Sequence, residues 1–400
     1  MKHLLTLSFL FIFAVSQTFA EDGFRSLVPE FKDKVGGDAA FTIDGDTIVG
    51  KCGAGANTFL CTEKKYSNFI LKFDVKLDEP GNSGVQFRSA VGEKDGQKYL
   101  YGYQCEILEP SDTANVYDER NRDRYLVPQE TVKNKITDAY KKGDWNSIEI
   151  QCVGPSIKTR LNGEKIVDII DIEANEGIFG LQVHSGKTGQ IRWKNIRIKE
   201  LPATPWVPLY ADKRFNEDIE IKPVGEWKIQ EDGVLNGKTP EKEPRDGIVV
   251  TKSVYKNFAV KVSFKMEHGN SGLYFRASNV DKPYWLKGFQ CEIAEGNQVN
   301  ANLWEVQGRG WVQKTEATQA ASAKATKEKE WNTIGTVAVG EHIVTFLNGW
   351  TIVNIIDGTP SHGFEGFVGL QLHGGGNQGC LFDNFYVMPL DDEAVKLIEN

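Results

Sequence analysis

Along much of the chain apolar and polar residues alternate with period two, the mark of strands with one face buried. Leu71 to Leu77 alternates strictly, as do Ser147-Ile148-Glu149-Ile150 and Lys194-Asn195-Ile196-Arg197-Ile198. Asn162-Gly163 and Asn348-Gly349 predict tight hairpins, because a type I′ turn needs positive φ at both central residues. Helical periodicity is scarce. Ala317 to Lys329 is rich in Ala and Lys but lacks an apolar stripe, which predicts a surface loop or short helix. Many short strands between turn signals predict an all-β architecture of two-sheet, jelly-roll sandwiches.

The pattern also repeats. Gly81-Asn82-Ser83-Gly84-Val85-Gln86-Phe87-Arg88 returns as Gly269-Asn270-Ser271-Gly272-Leu273-Tyr274-Phe275-Arg276. Gly102-Tyr103-Gln104-Cys105-Glu106-Ile107 returns as Gly288-Phe289-Gln290-Cys291-Glu292-Ile293, and Gly180-Leu181-Gln182-Val183-His184 as Gly369-Leu370-Gln371-Leu372-His373. Trp145-Asn146-Ser147-Ile148 and Leu161-Asn162-Gly163 recur as well, all in order and at offsets of 186 to 189 residues. A repeat this long is a domain duplication, not a solenoid of short units. We expect one sandwich over 21–201, a stiff Pro-rich connector over 202–208, a second sandwich over 209–390, and a tail over 391–400 that forms a turn of helix or frays.

Composition narrows the function. A formal net charge of −8 leaves no basic surplus for phosphate, so nucleic acid is not an expected partner. Forty glycines and three methionines fit a turn-rich β protein. Residues 1–20 read as a signal peptide: Lys2 and His3 precede an apolar run from Leu4 to Val15, and small residues place a cut after Ala20. That run is too short to span a bilayer and no later segment is long enough, so we expect a periplasmic or secreted protein without membrane insertion. Export permits disulfides among the six cysteines; Cys52 and Cys61 are the best local pair, and buried free thiols are the competing reading for Cys105 and Cys291.

Alternation assigns faces. Val85 and Phe87 point to the core, leaving Gln86 and Arg88 opposite; likewise Gln104 and Glu106 oppose Tyr103 and Cys105, and Gln182 and His184 oppose Leu181 and Val183. The second copy gives Arg276, Gln290, Glu292, Gln371 and His373 by the same rule. Taken singly, each fits the solvated face of an antiparallel sheet. Recurrence in both copies favours a concave polar patch holding Arg, Glu and His. Beside it lies a run containing Tyr117, Asp118, Glu119 and Arg120 in the first copy, answered by Trp304 and Trp311 in the second. Such aromatics suit the apolar C–H face of a sugar ring.

Together the Gly-Asn-Ser-Gly-x-x-Phe-Arg, Gly-Tyr/Phe-Gln-Cys-Glu-Ile and Gly-Leu-Gln-x-His motifs resemble the 3-keto-disaccharide hydrolase family, once per copy, and Tyr117 to Arg120 resembles a stretch found in part of it. In the middle motif many members carry the acidic residue first, where this chain has Gln104 and then Glu106. The resemblance implies a concanavalin A-like jelly roll and cleavage of glycosides already oxidised at C3. There a base removes the proton at C2, an acid serves the leaving oxygen at C1, and a cation steadies the enolate. On this reading Glu106 and His184 are acid and base and Arg88 is the cation, while Asn82, Gln86, Gln104, Tyr117, Asp118, Glu119, Arg120 and Gln182 hold the substrate. A divalent metal on Glu106 and His184 would share the cation's task, though no dedicated ligand motif is present. Glu106 and Glu109 stand three apart, on opposite faces of an ideal strand, so the paired carboxylates of a retaining glycosidase are not visible. The competing class is a lectin-like module that binds carbohydrate without cleaving it. Only the first copy carries the Tyr-Asp-Glu-Arg run, which places chemistry there and leaves the second as a further site or a sugar-holding partner.

Overall fold

The computed structural model describes residues 23–78, 81–186, 189–280 and 285–400; the leader expected over 1–20 lies outside them. Each copy is a jelly-roll sandwich of two antiparallel sheets. In the first, the site-bearing sheet runs in the order Arg124–Tyr125, Val116–Glu119, Gln97–Leu108, Asn82–Lys94, Ile178–Val183, Thr58–Thr62, Phe31–Gly36. The sheet behind it is centred on Phe69–Leu77, flanked by Asn146–Val153 and Gln190–Glu200. In the second copy the equivalent sheet runs Gly310–Gln313, Leu303–Val306, Leu286–Ala294, Asn270–Asn279, Phe367–Leu372, Gly247–Thr251, Ile219–Ile221.

Alternation builds these cores. Phe69, Leu71, Phe73, Val75 and Leu77 are buried while the residues between them are not. They meet Val85, Phe87, Tyr103, Cys105, Leu181 and Val183 from the opposite sheet. Burial of this kind contributes roughly 25 cal/mol per Å² of apolar surface, the main favourable term in either sandwich.

The Asn-Gly hairpins form as expected, with φ of 49° and 91° at Asn162-Gly163 and 49° and 73° at Asn348-Gly349. Each asparagine does more than turn the chain. Asn162 Nδ2 donates to the carbonyl of Ala139 and Asn348 Nδ2 to that of Ala325, both at 2.8 Å, and each ties the end of a helix to the hairpin. Those helices are Gln129–Ala139 and Glu316–Ala325. The second falls within the stretch read as loop or short helix; the first was not foreseen, because it buries only Val132 and Ile136. The tail forms a helix, Asp392–Glu399, capped by Asp391.

The two sandwiches meet through a third apolar cluster. Val153 and Ile172 of the first copy pack with Ala259, Val344, Phe346 and Met388 of the second and with Ile398 of the tail helix. Asn68 Nδ2 holds the connector by the Pro202 carbonyl at 2.6 Å, and Val207 and Pro208 already pair with the Gly379–Pro389 strand.

No Cys52–Cys61 disulfide forms. Cys61 is a free, buried thiol in the site-bearing sheet, while Cys52 Sγ lies 3.5 Å from the His184 carbonyl. Cys105, Cys152, Cys291 and Cys380 are also buried thiols. Among the described residues no helix is long and apolar enough to cross a membrane.

Candidate functional site

The outer face of the first copy's sheet is not a solvated surface. Gln86, Gln104, Glu106 and Gln182 are all under 5% exposed there, beneath a cleft of about 480 Å³. Register explains their meeting: Gly84 is opposite Glu106 on one side and Gln182 on the other. With no side chain at Gly84, Gln104 lies across it; a Cβ there would stand 2.5 Å from the Gln104 Cγ and Cδ. From that position Gln104 Nε2 donates to Glu106 Oε1 at 2.7 Å and approaches Gln182 Oε1 at 3.5 Å.

A second carboxylate closes the network. Glu119 ends the strand paired with Gly102, and its Oε2 accepts from Gln182 Nε2 at 3.0 Å and from Gln86 Nε2 at 3.3 Å. Asn57 Nδ2 reaches Glu119 Oε1 at 3.4 Å. Burial pushes Glu106 up to about 8, against the bond from Gln104 that favours its anion and with the negative charge of Glu119 adding to the rise. Burial also raises Glu119, opposed by its bonds from Asn57 and Gln86 and by Arg120 and His184. Burial thus favours the protonated form of Glu106.

His184 stands on the cleft wall with Nδ1 2.9 Å from the Ser185 carbonyl. An acceptor there places the proton on Nδ1 and leaves the Nε2 lone pair open in the neutral ring. Tyr117 and Tyr125 form an edge-to-face pair, centroids 5.1 Å apart, along the same wall. The acceptors Asn82 Oδ1 and Gln104 Oε1 have no protein donor.

Of the expected residues, Asn82, Gln104, Glu106, Tyr117, Glu119, Arg120, Gln182 and His184 line this cleft. Gln86 sits beneath it, bonded to Glu119. Arg88 does not belong to it. A β-bulge between Phe87 and Ala90 breaks the alternation and puts Arg88 at φ 48°. Its guanidinium then turns inward and donates to the carbonyls of Ser67 and Gly154 and to Asn68 Oδ1. Arg276 repeats this at φ 46°, donating to the Lys256 and Gly340 carbonyls. Both arginines lock the sandwich rather than face a ligand.

Asp118 is also withdrawn. It is fully buried and paired with Arg122, which grips Asp171 through both terminal nitrogens at 2.8 and 3.2 Å. Glu305, Arg309 and Asp357 reproduce the device in the second copy. The sequence reading missed Asn57, Asp123 and Tyr125 in the cleft. Asp123 and Tyr125 adjoin the charged run, whereas Asn57 lies outside every motif and is found only by pairing its strand.

In the second copy Gln290 Nε2 donates to Glu292 Oε2 at 3.0 Å, as its counterpart does, and Asn270 Nδ2 bonds the other oxygen. Burial raises Glu292 too. Trp304 and Trp311 form an edge-to-face pair, centroids 5.0 Å apart, where the first copy has its tyrosines. Among the described residues no three His, Cys, Asp or Glu side chains converge as a structural zinc site requires.

The 3-keto-alpha-glucoside-1,2-lyase-like domain matches the chain twice, over residues 22–199 and 206–388. A search of curated proteins finds no match. Among solved structures, a putative glycosyl hydrolase from Parabacteroides distasonis is 22% identical, covering 46% of this chain and 100% of its own, with a TM-score of 0.34. The carbohydrate-binding module CBM66 from Bacillus subtilis is 14% identical, covering 46% of this chain and 99% of its own, with a TM-score of 0.32.

Proposed function

Since both halves of the chain belong to the 3-keto-alpha-glucoside-1,2-lyase-like domain family, we propose that the first copy's cleft cleaves glycosides already carrying a ketone at C3. The observation that carries this reading is Glu106, a buried carboxyl in the same cleft as a histidine with one open nitrogen, its burial favouring the protonated form. The ketone acidifies the C2 proton. His184 Nε2 takes that proton, the electron pair enters the enolate, and the C1–oxygen bond breaks as Glu106 protonates the departing oxygen. A C1–C2 double bond results, and water then adds hydroxyl to C1 and hydrogen to C2. With Arg88 turned into the fold, Arg120 is the cation at the cleft mouth suited to the enolate oxygen. Tyr117 and Tyr125 supply the face for a sugar ring.

The full chain incubated with a 3-keto-disaccharide in D2O should release free sugar and carry deuterium at C2 of the product. The unoxidised disaccharide should be inert. Equal cleavage of both, or no deuterium in the product, overturns the elimination. The aromatic pairs favour a second reading, a lectin-like protein, for which the outcome is binding of either sugar with no product. We assign the activity to the periplasm or the exterior on the leader-like sequence of residues 1–20.

A further inference from the structure

The second copy has Val306 where the first has Glu119: Gly102 faces Glu119 and Gly288 faces Val306 in the equivalent strand pair. Loss of that carboxylate would strip Gln371, the counterpart of Gln182, of its acceptor. Yet Gln371 Nε2 donates to a carboxylate, Asp246 Oδ2, at 3.0 Å. Asp246 occupies the position of Asn57, each preceding the strand that pairs with the glutamine's own: Thr58 faces Val183 and Gly247 faces Leu372. The first copy therefore sets an amide at this position and an acid across from it, while the second sets the acid here and a valine across. The acid has moved and the glutamine's bond has been kept.

The remaining groups are in place. Glu292 is 8% exposed and bonded to Asn270 and Gln290. His373 Nδ1 meets the Gly374 carbonyl as His184 meets that of Ser185, which again leaves Nε2 open. Asp246 Oδ1 accepts from the Gly374 amide at 2.6 Å, so the relocated acid also fixes the backbone that orients His373. What differs is the wall. Trp304 and Trp311 replace two tyrosines, Val306 packs beside Ile248 and Tyr274, and Gln307 follows Val306 as Arg120 follows Glu119. The aromatic face is larger, and the rim's cation has changed place: Gln307 stands where Arg120 does, while Lys314 Nζ lies 4.1 Å over the Trp311 ring.

We infer that the second copy is a second working site, with Glu292 as acid, His373 as base and Asp246 standing in for Glu119, and that it takes 3-keto-glycosides whose leaving group presents a wide apolar face, such as an aryl glycoside. This rests on the elimination proposed for the first copy. The test uses the full chain with two probes, a 3-keto-disaccharide and 4-methoxyphenyl 3-keto-glucoside, whose weakly acidic phenol still needs a proton to leave. Glu106→Gln should lower disaccharide turnover about 100-fold or more and leave aryl release within about twofold, since losing a general acid costs that much. Glu292→Gln should do the reverse, and the double variant should lose both. Asp246→Asn should reduce aryl release about tenfold without touching the disaccharide, in proportion to one weakened charge-assisted bond. If Glu106→Gln abolishes both activities, the second site falls while the first stands. If the wild-type chain turns over neither probe, the elimination itself falls and this inference with it.

Discussion

Glu106 carries two opposed influences, burial that favours its neutral form and a bond from Gln104 that favours its anion, and burial wins. As an acid it must hold its proton, so turnover should fall as pH rises through about 8. Its effect on stability has the same sign. The folded carboxyl binds its proton more tightly than the unfolded chain does, where the value is about 4.3. The stability it contributes is complete below that value and is lost as pH climbs toward about 8. Glu106→Gln should therefore unfold at higher urea than wild type at pH 9, with the gap closing near pH 4. Gly84 offers a finer control. Gly84→Ala pushes Gln104 off the strand, which removes the bond favouring the anion. Turnover should drop about tenfold, the order expected for one displaced positioning contact, and the basic limb of its pH profile should move up, a shift that general damage would not produce.

At the scale of the elements, the strands and the faces they present were legible because period-two alternation maps directly onto burial, as in Phe69–Leu77. Arg88 and Arg276 mark where that reading fails: a bulge advances the chain by one residue and the next side chain leaves the expected face. Glu119 was visible as part of a charged run, but its place beside Gln182 depends on a strand pairing across the sheet that no local pattern encodes. The Gln129–Ala139 helix was illegible for a simpler reason, three apolar residues in eleven, of which only Val132 and Ile136 are buried. The Asn-Gly turns carry more information than a hairpin needs. Each asparagine combines a left-handed backbone with bonds to a helix end and to a neighbouring asparagine, Asn146 or Asn332. Asn162→Ala should cost about 2–3 kcal/mol in urea unfolding, from a disfavoured positive φ and lost hydrogen bonds.

For the whole molecule, the tail helix is a joint. Gln151 Nε2 and Lys158 Nζ of the first copy reach the carbonyls of Leu397 and Ile398, at 2.9 and 2.7 Å, where a helix end favours positive charge. Ending the chain at Leu390 removes these bonds and uncovers the apolar cluster between the copies, and its thermal unfolding should separate into two transitions where the full chain shows one. A second joint runs through the Gly349 carbonyl, which accepts from Arg122 at 2.9 Å and Arg124 at 2.6 Å, with the Arg124 guanidinium 3.4 Å over the Trp350 ring. Those arginines follow Glu119 and Arg120 along one loop, so a turn of the second copy braces the wall of the first copy's cleft. Duplication ordinarily leaves a spare that is free to decay, yet here the spare has become a fixture of its twin. A variant that loosens Trp350 would be recorded as a defect of the first site although it lies in the second domain, and neither half is a fair stand-in for itself once the other is cut away.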